Sequence, residues 1–362
     1  MIGGSGMAGV WIKNFIDNFS DRVKVVGLCD VDQQVLDWGA KVLGLSGERL
    51  FTDFNEACAK VKADFCGIAI PPQFHSPAAI VAMENGMPVI CEKPIADTLE
   101  AAKAMLCTSQ KTGQPCSIIQ QFRHAPNKQE LVRIREEGRL GRLQHILGRY
   151  ADDYRRFMSD RRPHRRLLFE SCIHHFDMLR FLSGGDCETL MGFGWNPEWS
   201  GFKHWSSGLY LMRMTNGVHT LYEGNSSGAG ITTNWHSYYR AEFELGTVEI
   251  DGSERVIIHR VGQKPKAYKA PKITFAGLSR TPVGDFLGHV YLFDEFLNWL
   301  DGGSPSATRI EDNIQSFAMI AAATEATVDG QPKRIADYLS DLDLSSRTSR
   351  LHTALVENSI HA

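Results

Sequence analysis

Nowhere in the 362 residues does an apolar run approach the roughly 20 residues that span a bilayer, so no membrane-crossing helix is expected. The N-terminus also lacks a basic stretch followed by an apolar core and a small-residue cleavage site, which argues against export. Positive charge is not in excess: 39 Lys and Arg stand against 42 Asp and Glu, a formal charge of -3. A general polyanion-binding surface needs the opposite balance, so nucleic acid is not the expected partner. CxxC pairs are absent. The eight cysteines, at 29, 58, 66, 91, 107, 116, 172 and 187, are scattered, most of them in apolar runs. They read as reduced core thiols in a cytoplasmic protein. Internal repeats and low-complexity tracts are missing too.

What is present is a change of pattern along the chain. The length suggests two domains. In the first third, apolar runs at 23–28, 65–70, 89–91 and 117–120 alternate with helical spacing at 35–42, 77–85 and 98–112. Gly86 and Gly113 sit where helices stop. Such alternation predicts a doubly wound parallel sheet of the α/β class, covered on both faces. From residue 143 onward the segments 143–150, 208–214, 218–223, 241–245 and 256–261 show partial two-residue alternation. Turn signals at Thr215, Asn216, Gly217 and at Asp251, Gly252, Ser253 separate some of them. An α+β domain with a large open, mostly antiparallel sheet is expected there, followed by a final helix over 310–328. The expected division is 1–122 and 123–362, with the boundary near Pro126.

The first chemical motif is Gly4, Ser5, Gly6, Met7, Ala8, Gly9, which fits GxGxxG and leads into a helical stretch. In a dinucleotide site Gly4 permits the tight turn, Gly6 lets the backbone approach a pyrophosphate, and Gly9 allows close helix packing. A glycine-rich turn of no special purpose is the plain alternative. Asp30 follows the next apolar strand about 20 residues on, where a carboxylate accepts from a ribose 2′-hydroxyl and disfavours an extra phosphate. NAD is therefore expected over NADP. Helix capping is the competing role for Asp30, and Asp32 suits it equally well. A dinucleotide fold needs about five strand residues before the glycine loop, but only Met1, Ile2 and Gly3 stand there, so the first strand is expected to be truncated and residues upstream of Met1 to be missing.

The run Ile68, Ala69, Ile70, Pro71, Pro72, Gln73, Phe74, His75, then Met87, Pro88, Val89, Ile90, Cys91, Glu92, Lys93, Pro94, resembles the Gfo/Idh/MocA family. That is the family of glucose-fructose oxidoreductase and inositol dehydrogenase. The likeness continues through Gln121, Phe122, Arg123, through Glu137 to Gly141 and into Glu170 to Asp177, and returns faintly at Glu311 and Asp312. It implies a Rossmann domain with Gly4, Gly6, Met7, Ala8, Gly9, Asp30, Pro71, His75, Glu92 and Lys93 on the cofactor. Lys93 would stabilise the substrate oxygen as charge develops, and Pro94 would follow a cis peptide. His75 and Arg123 would line the cleft between the domains, where substrate is expected.

Glu170, Ser171, Cys172, Ile173, His174, His175, Phe176, Asp177 reads as part of a helix, with Glu170, His174 and Asp177 on one face by their spacing of four and three. An imidazole there suits general base work near neutral pH, and the resemblance implies that His174 abstracts the hydroxyl proton. The family often has aspartate at Glu170. The glutamate is assigned to substrate hydrogen bonding or to orienting His174, and Asp177 and Arg123 to the substrate. Zinc ligation by Glu170, His174 and Asp177 is the alternative, but no further cysteine or histidine cluster stands ready to complete the shell, and no metal is expected. His175 should be a packed or surface residue. Arg165 and Arg166, in a run with Arg155, Arg156, Arg161 and Arg162, would bind an acidic sugar, or form a loop balanced by nearby aspartates. Trp195, Trp199, Trp205 and Trp235 would stack on a sugar ring or, more simply, pack in the sheet.

The reading is an NAD-dependent dehydrogenase acting on a secondary hydroxyl or carbonyl of a sugar, inositol or related polyol, assembled as a homodimer or homotetramer. Two alternatives stand beside it. One is a glycosidase-type reaction through transient oxidation, the other a non-catalytic NAD-binding sugar sensor.

Overall fold

The computed structural model describes residues 1–157, 166–253, 255–271 and 287–344, the side chains of 14, 15, 17, 156, 157 and 166 excepted. The chain forms two compact units, Met1–Gln121 with Thr274–Ile314, and Phe122–Ile273 with Gln315–Ala362. The expected division ran unbroken from 123 to the end; instead the chain returns to the first unit after 273. The return has a packing cause. Val290, Phe293, Phe296 and Leu297 form one stripe of the helix Leu287–Leu300, and they share a buried cluster with Ala8, Trp11, Phe19 and Ile90. Phe65 meets Phe296 edge-on at 5.5 Å. Without that stripe the first unit's sheet would leave Trp11 and Ile90 uncovered.

The first unit's strands are β1 (Leu28–Cys29), β2 (Leu50–Phe51), β3 (Cys66–Ile68), β4 (Val89–Cys91) and β5 (Cys116–Ile118). All their pairings are parallel, and β3 to β5 are buried throughout, as strands covered on both faces must be. The N-terminal residues lie between the two groups of strands. Ile2 bridges Cys29 on one side and Ile68 on the other, with Gly3 N donating to the Cys29 carbonyl at 2.8 Å and Ile2 N to that of Gly67 at 2.8 Å. The central strand is thus a single bridging residue. A cavity of about 150 Å³ beside it borders Met1, Val25, Gly27, Val61, Phe65 and Cys66. The intervening helices end as their sequences direct: Gly44 and Gly113 occupy left-handed C-caps at φ 66° and 68°.

Among the described residues of the second unit nine strands form one sheet: β6 (Leu143–Ala151), β7 (Cys187–Trp195), β8 (Ser207–Met214), β9 (His219–Asn225), β10 (Tyr238–Phe243), β11 (Gly246–Ile250), β12 (Arg255–Arg260), β13 (Lys266–Lys269) and β14 (Lys333–Arg334). Their order is β13-β12-β11-β10-β6-β9-β8-β7-β14, and the β6–β9 pairing alone is parallel. On β8, Tyr210, Met212 and Met214 face in while Leu209, Leu211 and Arg213 face out. The helix Ile173–Ser183 covers the inner face and is buried on every side. Phe176 meets Tyr210 at 5.6 Å and Tyr222 at 5.3 Å, both edge-on. Strand β7 escaped the sequence reading because Gly192 and Gly194 interrupt its pattern. Gly192 is required by close approach: a Cβ there would lie 2.3 Å from the Leu209 carbonyl oxygen. The helix Ile310–Asp329 begins in the first unit and ends in the second. No helix among the described residues is long and apolar enough to cross a membrane.

Candidate active site

In the first unit the glycine loop leads into helical turns, an α segment Gly6–Val10 followed by a π segment Trp11–Phe15. Gly6 lies at φ 55°, and a Cβ there would meet nothing within 4 Å, so its backbone faces open space. A cleft of about 390 Å³ runs along Gly4, Ser5, Gly6, Gly9, Lys13 and Trp38. The sharper conformational demand falls one residue before the expected motif. Gly3 sits at φ 100°, and a Cβ on it would come 2.3 Å from the Ala69 carbonyl oxygen.

Asp30 closes the loop from the end of β1. Its Oδ2 accepts from Gly4 N at 2.9 Å and its Oδ1 from Asp32 N at 3.0 Å. The capping role belongs to Asp32, whose carboxylate accepts from Gln34 N at 2.8 Å. Open backbone at Gly6, a helical N-terminus and a carboxylate fixed beside the loop are the parts a dinucleotide needs, so the residues present fit that cofactor.

Glu92 and Lys93 follow β4. Glu92 is buried, and burial pushes its carboxyl pKa up, opposed by the neighbouring Lys93 charge and by hydrogen bonds. Its Oε1 accepts from Trp11 Nε1 at 2.9 Å and its Oε2 from Lys93 N at 3.1 Å. Trp11 therefore ties the helix after the glycine loop to the strand end that carries Lys93. Sequence reasoning missed this contact, which spans 81 positions. The Lys93–Pro94 peptide is cis.

His75, expected at the cofactor, is fully buried, with Nδ1 2.8 Å from the Pro94 carbonyl and Nε2 2.7 Å from that of Ile70. Burial lowers its pKa, and a neutral ring can donate to only one of these two acceptors. The ring therefore braces the segments around Pro94 and Pro71 and offers no free nitrogen edge to a ligand.

In the second unit the segment Arg166–Cys172 is a π turn that runs into the helix Ile173–Ser183. Glu170 lies in that turn four residues before His174, and π turns recur at functional sites. Glu170 is half-buried and His174 fully buried. The His174 ring stacks on Phe122, with centroids 4.3 Å apart and planes 18° apart, and Trp235 meets it edge-on at 6.0 Å.

Arg123 and Asp177, expected to contact substrate, are engaged with one another instead. Arg123 Nε and Nη2 donate to the two Asp177 oxygens at 2.8 and 2.5 Å, and both side chains are buried. Ser316 adds a donor to Asp177 Oδ1 at 2.7 Å, and Arg180 Nη1 lies 3.5 Å from the same oxygen. A bidentate pair so enclosed fixes the helix rather than presenting charge to a ligand. His175 is packed: its Nε2 is 3.2 Å from the Trp235 carbonyl and its Nδ1 2.5 Å from the Tyr222 hydroxyl. Since a carbonyl only accepts, Nε2 carries the proton and Nδ1 accepts from Tyr222.

Arg165 lies outside the described residues, as does the side chain of Arg166. Among the described residues no group of three or more His, Cys, Asp or Glu could hold a metal ion.

Residues 1–120 match the model of an oxidoreductase family with an NAD-binding Rossmann fold, and residues 129–257 match the corresponding Gfo/Idh/MocA C-terminal domain. An uncharacterized protein of Sinorhizobium fredii, y4oX, is 33% identical, the alignment covering 93% of this chain and 95% of that one. Inositol 2-dehydrogenase of Corynebacterium glutamicum is 25% identical over 86% of this chain and 81% of its own. Among solved structures, an oxidoreductase from Agrobacterium radiobacter in complex with NAD+, L-tartaric acid and magnesium superposes with a TM-score of 0.78 at 22% identity, over 93% of this chain and 97% of that one.

Proposed function

Because the chain belongs to the Gfo/Idh/MocA family of NAD-binding oxidoreductases, whose curated relatives include dehydrogenases of inositol and D-apiose, we propose that it oxidises a secondary hydroxyl of a sugar, inositol or related polyol with NAD, or reduces the matching carbonyl. NAD is preferred over NADP because the Asp30 carboxylate, held beside the loop by Gly4 N and Asp32 N, accepts from hydroxyl donors and repels a phosphate. The observation that carries the reading is the first unit's assembly. Its glycine loop is tied to Asp30, and Lys93 follows a buried carboxylate that Trp11 holds in place.

When bound, the nicotinamide supplies the hydride acceptor or donor. Lys93 donates to the substrate oxygen and stabilises it as negative charge develops. His174 takes the hydroxyl proton, its ring held flat against Phe122. Glu170, half-buried at the π turn, orients His174 or the substrate. Arg165 and Arg166 give the reading an acidic-sugar branch, in which uronic acids outperform neutral sugars and lose that advantage in the Arg165→Ala, Arg166→Ala double variant.

The outer face of the large sheet exposes Phe193, Trp195, Leu209, Leu211 and Leu221 at 41 to 59%, and we assign it to self-association in a dimer or tetramer. All eight thiols are free, as fits a reducing cytoplasm.

The test is a panel of inositols, aldoses and uronic acids, with NAD and with NADP, followed at the reduced-nicotinamide absorbance band. Reduction of NAD by at least one member is expected, with NADP slower. Inertness of the whole panel with both cofactors would overturn the reading.

A further inference from the structure

In the first unit a buried carboxylate and an indole lie next to Lys93, and neither takes a step in the mechanism above. Glu92 is the residue after β4, and Trp11 stands two residues beyond Gly9, at the start of the π segment Trp11–Phe15. Trp11 is 1% exposed and Glu92 6%. Trp11 Nε1 donates to Glu92 Oε1 at 2.9 Å, and Lys93 N donates to Glu92 Oε2 at 3.1 Å. Each carboxylate oxygen therefore has a donor, one from the helix after the glycine loop and one from the lysine's own backbone.

Packing places the indole. Its ring meets Phe293 edge-on at 6.3 Å, and Gly67 leaves room for it, since a Cβ there would come 3.3 Å from Trp11 Cζ3. A phenyl ring would fill most of that volume, so what the tryptophan adds is the N–H. Burial pushes the Glu92 pKa up, while the Lys93 charge, the Trp11 bond and the Lys93 backbone bond pull it down. Without the indole N–H, the buried Oε1 loses a charge-assisted bond and the neutral acid gains. The attraction is mutual: a carboxylate beside an ammonium favours the charged form of both. Cys91 couples to Glu92 and His75 to Lys93, but burial raises the thiol and lowers the imidazole, so both are neutral near pH 7. Asp97, which acts on His75, is half-buried and is the same in every variant below.

We propose that Trp11 is a positioning residue for Lys93: its N–H holds Glu92 as a carboxylate, and that carboxylate holds the lysine as the ammonium that donates to substrate. One side chain thereby joins the helix of the glycine loop to the reacting lysine. This rests on the reading of Lys93 as the group that stabilises the substrate oxygen.

The experiment compares wild type with Trp11→Phe, Trp11→His and Glu92→Gln, all loaded with NAD. The ionisation midpoint of Lys93 is read by competitive acetylation with acetic anhydride from about pH 6 to 11, followed by mass spectrometry. In parallel, kcat and KM for the best substrate of the polyol panel are measured over the same range. Glu92→Gln should lower the midpoint by about one pH unit. Trp11→Phe should lower it by less, and Trp11→His, which restores an N–H, should recover part of the difference. The alkaline limb of kcat should move to lower pH with the midpoint, while KM and NAD affinity hold. A midpoint unchanged in Trp11→Phe overturns the proposal, even where turnover falls, and leaves the function standing. Lowered midpoints in a protein that turns over none of the panel uphold the link and remove the function. If Trp11→Phe fails to fold, Glu92→Gln decides: a midpoint at the wild-type value overturns the proposal, and a lowered one upholds it.

Discussion

The glycine loop and the His174 helix are built on opposite plans. The loop works through backbone groups beside an open cleft, and neighbours in sequence or one strand away determine its shape: Gly3, Gly6, and Asp30 reaching Gly4 N. The helix works through side chains that are fully buried and held by residues far along the chain, with Ser316 on Asp177 and Trp235 over His174. A backbone site is specified by what its residues lack, since glycine admits both the conformation and the ligand. A side-chain site is specified by what surrounds it, and it spends charge and aromatic area on positioning.

The contrast can be broken where it predicts most. Asp177→Ala leaves the Arg123 guanidinium buried without its bidentate partner, and stability should fall by about 3–5 kcal/mol, read as a lower urea midpoint. The Arg123→Met, Asp177→Leu double variant should lose much less. If the single variant unfolds like wild type, the pair is not what holds the helix.

The loop should respond to substitution in two distinct ways. Gly3→Ala places a Cβ against the Ala69 carbonyl at φ 100° and should cost about 1–3 kcal/mol of stability. Gly6→Ala, at φ 55° beside open space, should cost about 1 kcal/mol and show itself chiefly as weaker NAD binding by calorimetry. Equal effects of the two on NAD affinity would erase the distinction between a fold glycine and a ligand glycine.

A further effect, read as a pH dependence, concerns a buried charge in the second unit. Lys128 is fully buried over the Tyr239 ring at 5.3 Å, and burial pushes its pKa down from 10.5 to about 7, with Asp251 opposing. The folded state then binds fewer protons than the unfolded state between about pH 7 and 10.5, so its contribution makes stability rise with pH across that window and level off below it. Lys128→Met should flatten the rise, measured as the pH dependence of the unfolding midpoint. A slope unchanged by the substitution would assign it to other groups.

The same contrast explains how much was legible in the sequence. The β4 strand at 89–91 and the helix over 98–112 follow local pattern and caps, and the structure has them within a residue. The return of the helix Leu287–Leu300 to the first unit was not legible, because an apolar stripe does not name the core it fills. Of the candidate site residues, Gly6 and Asp30 could be picked out from motif and spacing, and Lys93 and His174 with the help of the family resemblance. The engagement of Arg123 with Asp177 could not, nor could the hold of Trp11 on Glu92, because each joins residues more than 50 positions apart.

The most direct test of the central claim is single-turnover formation of reduced nicotinamide by NAD-loaded wild type, Lys93→Ala and His174→Ala, mixed with the best substrate of the polyol panel. NAD affinity should be retained in both variants, while the rate of the absorbance rise falls by about 10²–10⁴-fold in each. Near wild-type rates in either variant would contradict the account.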